Sequence, residues 1–418
     1  MHQSTPIRAA WFTLSAAIVA TFAMVGTWTV RMALADYRFR QQTVSGAQAA
    51  IRLEPDSAGY YVRLAALTQD SDPAGSTAAL ERAVALNPWD SPSWVELGLR
   101  AEAAGDLADA ERSLLRAASV DKQFLPKWSL VNYYFRRDNS ERFWFWAHEA
   151  IGMAYDDLAP LFALCWRIAN DGVLIEQKLD IRNADPEASY LTYLTGQNRI
   201  EPMARAAERV LACNRATDSA ALLAACDRFI ADGLSSPALR IWNQLSNLHR
   251  IPYGVLAPES GRSLTDGDFA MFPIAQGFDW RLPDVGGVAA LLDDRPAGLR
   301  ISFSGGQPED CEVLTQVLPV MENANYELRF LYRTSGIAPE TGLRWRVTDF
   351  NGAKILAEGG SLASESERDD RLAFRTPAGS GLARLTLTYR RALGTTRIEG
   401  FILLRKLQLT LTPESSGR

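Results

Sequence analysis

The hydrophobic pattern of the chain changes twice. The run Ala9–Val30 contains no charged residue. As a helix it would extend about 33 Å, enough to cross a hydrocarbon core of ~30 Å. Trp11 and Trp28 sit near its two ends, where indoles favour the headgroup region. From there to about Arg250 apolar residues recur at three- and four-residue intervals, the period of amphipathic helices. Beyond HRIPYGVLAPESGRS the period drops to two, with Gly and Pro punctuation. Tyr326, Leu328, Phe330 and Tyr332 alternate with Glu327, Arg329, Leu331 and Arg333. Leu343, Trp345 and Val347 alternate with Arg344, Arg346 and Thr348, and Leu385, Leu387 and Tyr389 with Arg384, Thr386, Thr388 and Arg390. LRISFSG and LQLTLT repeat the pattern. One apolar face per strand predicts antiparallel sheets around a shared core.

The helical stretch holds an internal repeat. AIRLEPDSAGYYVRLA from Ala50 aligns with AVALNPWDSPSWVELG from Ala83, pairing Pro55 with Pro88, Tyr61 with Trp94 and Leu64 with Leu97. The offset of about 33 residues is that of a helical hairpin. Trp94, Leu97, Gly98 and Ala101 share a face of a first helix, Gly105-Asp106 breaks it, and Ala110, Leu114 and Ala117 stripe a second. Gly98 and Ala110 let the two helices approach closely.

Trp94, Leu97, Gly98, Ala110 and Ala117, with the preceding Leu86–Pro88, resemble the tetratricopeptide repeat. Asp121-Lys122 replaces the closing Asn-Pro of the second unit, and a degenerate third unit begins near Phe124. The resemblance implies a surface for a protein partner, with Val95, Leu99, Glu102, Tyr133 and Arg136 as its groove residues. Helices continue without clean repeats from Asp156 to Arg250. RFWFWAHEA, Arg142–Ala150, places aromatics all round one helix and reads mainly as helix packing, with His148 an ordinary satisfied histidine.

FDWRL, LTQVLPVMENANYELRFLYR and GFILLRKLQLTL resemble jelly-roll domains of the galactose-binding-like and carbohydrate-binding-module type. Related modules often hold a structural calcium through an Asp before the final strand; Leu403-Leu404-Arg405-Lys406 stands there instead, so no metal is expected. Trp280 and Trp345 alternate in phase with apolar neighbours and are expected in the core. The opposite face carries Arg300 and the candidate glycan-binding residues Arg329, Arg333, Arg344, Arg346, Arg384 and Arg390. If several share one sheet they form a fork-donor surface for carboxylates or phosphates; split across two sheets they are solvated outer positions.

The expected fold is therefore multidomain, α then all-β: an N-terminal transmembrane anchor over 1–40, a helical solenoid over 41–250, an entry segment over 251–276 and a jelly-roll β-sandwich over 277–418. ALA at Ala33–Ala35 offers a signal-peptidase alternative, but the apolar run exceeds the usual ~7–15-residue core of such a peptide. Arg8 precedes the span and Arg31, Arg38 and Arg40 follow it, which by the positive-inside rule places the body in the cytoplasm. The architecture resembles bacterial proteins held single-pass in the inner membrane with a periplasmic body, the opposite orientation.

A net charge of −5 over 418 residues gives no basis for nucleic-acid binding. The three histidines, His2, His148 and His249, leave little for histidine catalysis. Cys165, Cys213, Cys226 and Cys311 form no C-x-x-C pair. Buried free thiols are the first expectation and a Cys213–Cys226 bridge the second. No phosphate-binding loop, dinucleotide fingerprint, HExxH or GxSxG is present, so neither a cofactor nor a catalytic residue is expected. The expected function is a non-catalytic, membrane-anchored scaffold. Its repeats bind a protein and its sandwich binds a glycan, such as an acidic polysaccharide, or docks a protein. Cell-envelope polysaccharide assembly or export is the process this suggests by fold analogy. The alternative is a carbohydrate-active enzyme with the sandwich as an accessory module, which requires two opposed carboxylates in a deep pocket.

Overall fold

The computed structural model describes residues 5–153, 157–181, 184–294 and 297–412. Helices fill the first part and antiparallel strands the last. The chain divides into two compact units, Met1–Ile181 and Arg182–Arg418. The division falls inside the helical stretch, so the last four helices belong with the sandwich.

Unit one begins with α1, Thr5–Phe39. Among the described residues α1 is the one helix long and apolar enough to cross a membrane, and its apolar window is unburied. It runs past the charge-free segment without a break and pairs with α2, Val44–Leu53. Arg31 Nε donates to the Leu53 carbonyl at 2.6 Å, and Phe39 meets the Tyr60 ring at 5.1 Å between centroids. The end of the apolar helix is thus the first limb of the first hairpin.

Three further hairpins follow: α3 and α4 (Ala58–Thr68, Pro73–Leu86), α5 and α6 (Ser91–Ala104, Leu107–Val120), and α7 and α8 (Phe124–Arg136, Ser140–Ile151). Their boundaries are written in capping residues. Asp72, Asp106 and Asn139 accept from the backbone N–H three residues on, at 2.9, 3.0 and 3.1 Å. Gly105 closes α5 in the left-handed region, at φ 84°. The phase expected for Gly98 is the one seen: a Cβ there would stand 2.7 Å from Leu114 Cγ. α9 and α10, Ala159–Ala169 and Gly172–Leu179, complete the unit.

Unit two starts with α11–α14: Ala184–Gly196, Ile200–Cys213, Ser219–Ala231 and Ser235–Asn247. The entry segment after α14 is pinned. Asn243 exchanges two 2.8 Å bonds with the Leu256 backbone, Ser246 Oγ donates to the Tyr253 carbonyl, and Trp242 stacks on Tyr253 and meets Phe278 edge-on.

Nine strands follow: β1 Val288–Asp294, β2 Ala297–Ser304, β3 Asp310–Pro319, β4 Asn325–Ser335, β5 Leu343–Asp349, β6 Ile355–Glu358, β7 Arg368–Arg375, β8 Leu382–Arg390 and β9 Glu399–Thr412. They form a five-stranded sheet, β1-β2-β9-β4-β7, and a four-stranded sheet, β3-β8-β5-β6, all pairs antiparallel. The chain passes from one sheet to the other at β2–β3, β3–β4, β4–β5, β6–β7, β7–β8 and β8–β9, so neither sheet forms alone. Trp280, Trp345, Tyr326, Tyr332 and Tyr389 fill the core between them, and both tryptophans are fully buried as their phase predicts. β1, β6 and β7 have no clear two-residue alternation in sequence. β1 and β7 are the edges of their sheet and β6 an edge of the other, where only partial burial is demanded.

Candidate ligand-binding face

Strand register decides what the alternating arginines have in common. Arg329 and Arg333 lie on β4 in the five-stranded sheet, whereas Arg344 and Arg346 on β5 and Arg384 and Arg390 on β8 lie in the four-stranded sheet. The six do not form one surface, because consecutive strands switch sheets. Four of them do. Arg344 stands beside Thr388, Arg346 beside Thr386 and Thr348 beside Arg384, while Arg390 pairs with Asp310 of β3.

Each arginine has a different setting. Arg344 and Arg346 converge on Glu358, with Arg346 Nη2 at 2.7 Å and Arg344 Nη1 at 3.4 Å. Burial works to raise the Glu358 carboxyl, but the two guanidiniums outweigh it and hold the group below the ordinary range. Arg390 reaches Asp310 at 3.1 Å on an exposed edge. On the other sheet Arg329 pairs with Glu327 at 2.6 Å, and Arg333 lies over the Phe401 ring, shared with Arg300. Arg384 alone among the six has neither a carboxylate nor an aromatic ring as partner, and its Nε is buried without a hydrogen-bond acceptor. The face's threonines, Thr315, Thr348, Thr386 and Thr388, are buried.

At the Arg384 end, α13 closes against this sheet. Asp227 of α13 accepts from Gly277 N at 2.8 Å and from Arg281 Nη2 at 2.7 Å, and Arg281 exchanges two backbone bonds with Thr315. Burial pushes the Asp227 carboxyl up, against the pull of Arg281. A cavity of about 300 Å³ opens between these groups and Arg384. Its lining residues Asp227, Arg281, Thr315 and Phe350 were not foreseen as a site. The one sequence signal was Arg281, out of phase with Phe278 and Trp280 within FDWRL.

In unit one the expected groove residues separate. Val95 and Tyr133 are buried in the packing, the Tyr133 hydroxyl donating to the Leu107 carbonyl, and Leu99 is exposed. Glu102 is taken by Arg136 in a two-pronged pair at 2.8 and 2.6 Å. An opening of about 630 Å³ lies one helix back, between α3 and α5, walled by Phe39, Val62, Ala66 and Pro92, with Arg63, Glu96 and Arg100 on it. Of the aromatic cluster on α8, Phe143 and Trp144 are buried and Phe145 is exposed. His148 Nδ1 lies 2.9 Å from the Leu179 carbonyl. The four cysteines are free thiols, with Cys165 and Cys226 buried and Cys213 exposed, so the alternative Cys213–Cys226 bridge is not formed.

No protein family and no curated protein matches the chain. Among solved structures, MamA is similar over 26% of this chain at 19% identity and a TM-score of 0.25, and the chain spans 66% of MamA. YrrB, described as a TPR protein with an unusual peptide-binding site, is similar over 48% of this chain and 91% of its own, at 11% identity and a TM-score of 0.25. A CBM4 structure is similar over 36% of this chain and 100% of its own, at 12% identity and a TM-score of 0.28.

Proposed function

We propose that this chain is a non-catalytic adaptor, held in a bacterial inner membrane by α1 with its body in the periplasm. Its helical hairpins hold a protein partner, and the outer face of the four-stranded sheet binds an acidic glycan during envelope polysaccharide assembly or export. The observation that carries the reading is the register that lines up Arg344, Arg346, Arg384 and Arg390 on one face. Guanidiniums donate in planar pairs that match carboxylates. A neutral glycan is usually gripped by exposed aromatic rings, and Trp280 and Trp345 are buried in the core instead. The opening between α3 and α5 supports the second half of the reading, since apolar walls with charged groups on the rim suit a peptide segment.

The test is calorimetric titration of the full chain in detergent with acidic and neutral oligosaccharides at two salt concentrations. Acidic ligands are expected to bind and to weaken as salt screens the contacts over ~8–10 Å. Arg344→Ala/Arg346→Ala is expected to lower that affinity at least about tenfold, with Arg329→Ala, on the other sheet, without effect. Equal binding of acidic and neutral ligands, or none of either, sinks the reading.

A further inference from the structure

The cavity beside α13 joins an apolar side to a small set of charged groups. Its apolar walls come from Ile230, Val317 and Phe350. Its polar groups are not equivalent. Asp227 and Arg281 already satisfy one another, and that pair ties α13 to the segment entering the sandwich. Arg384 is left over. It is half-buried, and among the described residues its guanidinium forms no ion pair; its Nε is sealed from the cavity, which leaves the two terminal nitrogens to meet a ligand. A guanidinium beside apolar walls, with no carboxylate of the protein paired to it, can take one from a ligand. With two guanidiniums and one carboxylate, the cavity carries a single excess positive charge. That balances a monoanion; a phosphate dianion would call for more donors. A planar carboxylate fits one guanidinium fork. At about 300 Å³ the space is at the small end of ligand pockets, the size for one ring rather than a chain. The Thr315 side chain lines it as well. Arg384 also begins the row on β8 that continues through Thr386 and Thr388 to Arg390.

We propose that this cavity holds the carboxylate of an acidic sugar residue, with Arg384 as its fork and Phe350, Ile230 and Val317 against the ring. The inference rests on the acidic-glycan reading of the sheet face and makes it specific. One residue of the glycan is anchored in the cavity and its neighbours run out along β8. Arg384 binds as a donor to the ligand; it is not given a catalytic part.

The full chain in detergent is titrated calorimetrically with a galacturonic acid trisaccharide, with its methyl ester, which is uncharged and one methyl larger per residue, and with the smaller neutral galactose trisaccharide. Free galacturonate is followed by saturation-transfer NMR. The expected result is binding of the acid and of neither neutral trisaccharide, with Arg384→Gln losing at least about tenfold in affinity. Arg384→Lys, which keeps the charge but not the fork, is expected to fall between. An unchanged thermal melt separates these losses from misfolding. If Arg384→Gln binds the trisaccharide like the wild type while Arg344→Ala/Arg346→Ala does not, the cavity proposal is overturned and the sheet-face reading stands. If free galacturonate binds in an Arg384-dependent manner but the trisaccharide does not, the carboxylate site in the cavity stands, while the path of the glycan along β8 and the sheet-face reading are overturned. Absence of both signals overturns the cavity proposal.

Discussion

Gly98 and Glu102 lie one turn apart on α5 and do opposite things. Gly98 lets α6 approach, and a leucine there must displace Leu114 or the helix backbone. Gly98→Leu is expected to cost roughly 1–3 kcal/mol. Glu102 faces Arg136 of the next hairpin, and once it is removed Arg136 turns to water, so Glu102→Ala is expected to cost only about 0.5–1 kcal/mol. Thermal melts giving the two variants equal stability would show the phase of α5 to be misassigned. Asp279 is a different case. It is fully buried and accepts from Tyr253 Oη at 2.9 Å and Ile274 N at 2.6 Å. Burial outweighs those bonds and raises its carboxyl above the ordinary 3.8. A carboxyl raised in the fold stabilises most when protonated, below its unfolded value, and that contribution is lost as pH rises through the raised value. The stability difference between wild type and Asp279→Asn is therefore expected to favour the wild type increasingly as pH falls from neutral toward 4. Denaturation at a series of pH values measures it, and a pH-independent difference would show that folding leaves the Asp279 carboxyl unshifted.

At the scale of elements, the proposed binding face depends on β5 and β8 meeting in one register. Gly342, at φ 99°, starts β5 where an added Cβ would stand 1.8 Å from the Arg390 carbonyl oxygen. Only glycine fits that close backbone approach in that conformation. Gly342→Ala is expected to cost roughly 2–4 kcal/mol and to shift the Arg344–Thr388 pairing. The readouts are a lowered melting temperature together with weakened acidic-glycan affinity; wild-type behaviour in both would mean that the strand end is loose.

For the whole molecule, the decisive element is α1, one continuous helix that is long and apolar enough to cross a membrane and whose last turns pack against α2. Ala9–Val30 is expected to hold the full chain in membranes through high-salt and carbonate washing. Removal of everything before Arg31 is expected to release a soluble chain whose first hairpin keeps its Arg31–Leu53 bond. Removal of everything before Asp36 deletes that bond and the fully buried Ala35, and is expected to release a chain that melts lower. Release of the full chain by salt alone contradicts the anchor. Equal melting of the two truncated chains contradicts the coupling of anchor and hairpin.

Local signals fixed what is local. The charge-free run, the 33-residue repeat, the Gly98 contact and the two-residue alternation each report a short-range preference, so the apolar helix, the two central hairpins and most sandwich strands could be read directly, whereas the pairing of α1 with α2 could not. Alternation also placed Trp280 and Trp345 inside, because an apolar face has one place to go. It could not say which arginines meet. A strand's period says which way a side chain points but not which sheet receives the strand. Arg329 and Arg346 look equivalent in sequence, yet they lie on different sheets because the chain crosses from one to the other between β4 and β5. The Arg384 cavity was further out of reach. Its groups come from α13, the FDWRL stretch ahead of β1, β3, the residue after β5, and β8, brought together only when the helix docks on the sheet. Periodicity is set by the chain's neighbours in sequence; that cavity is set by neighbours in space.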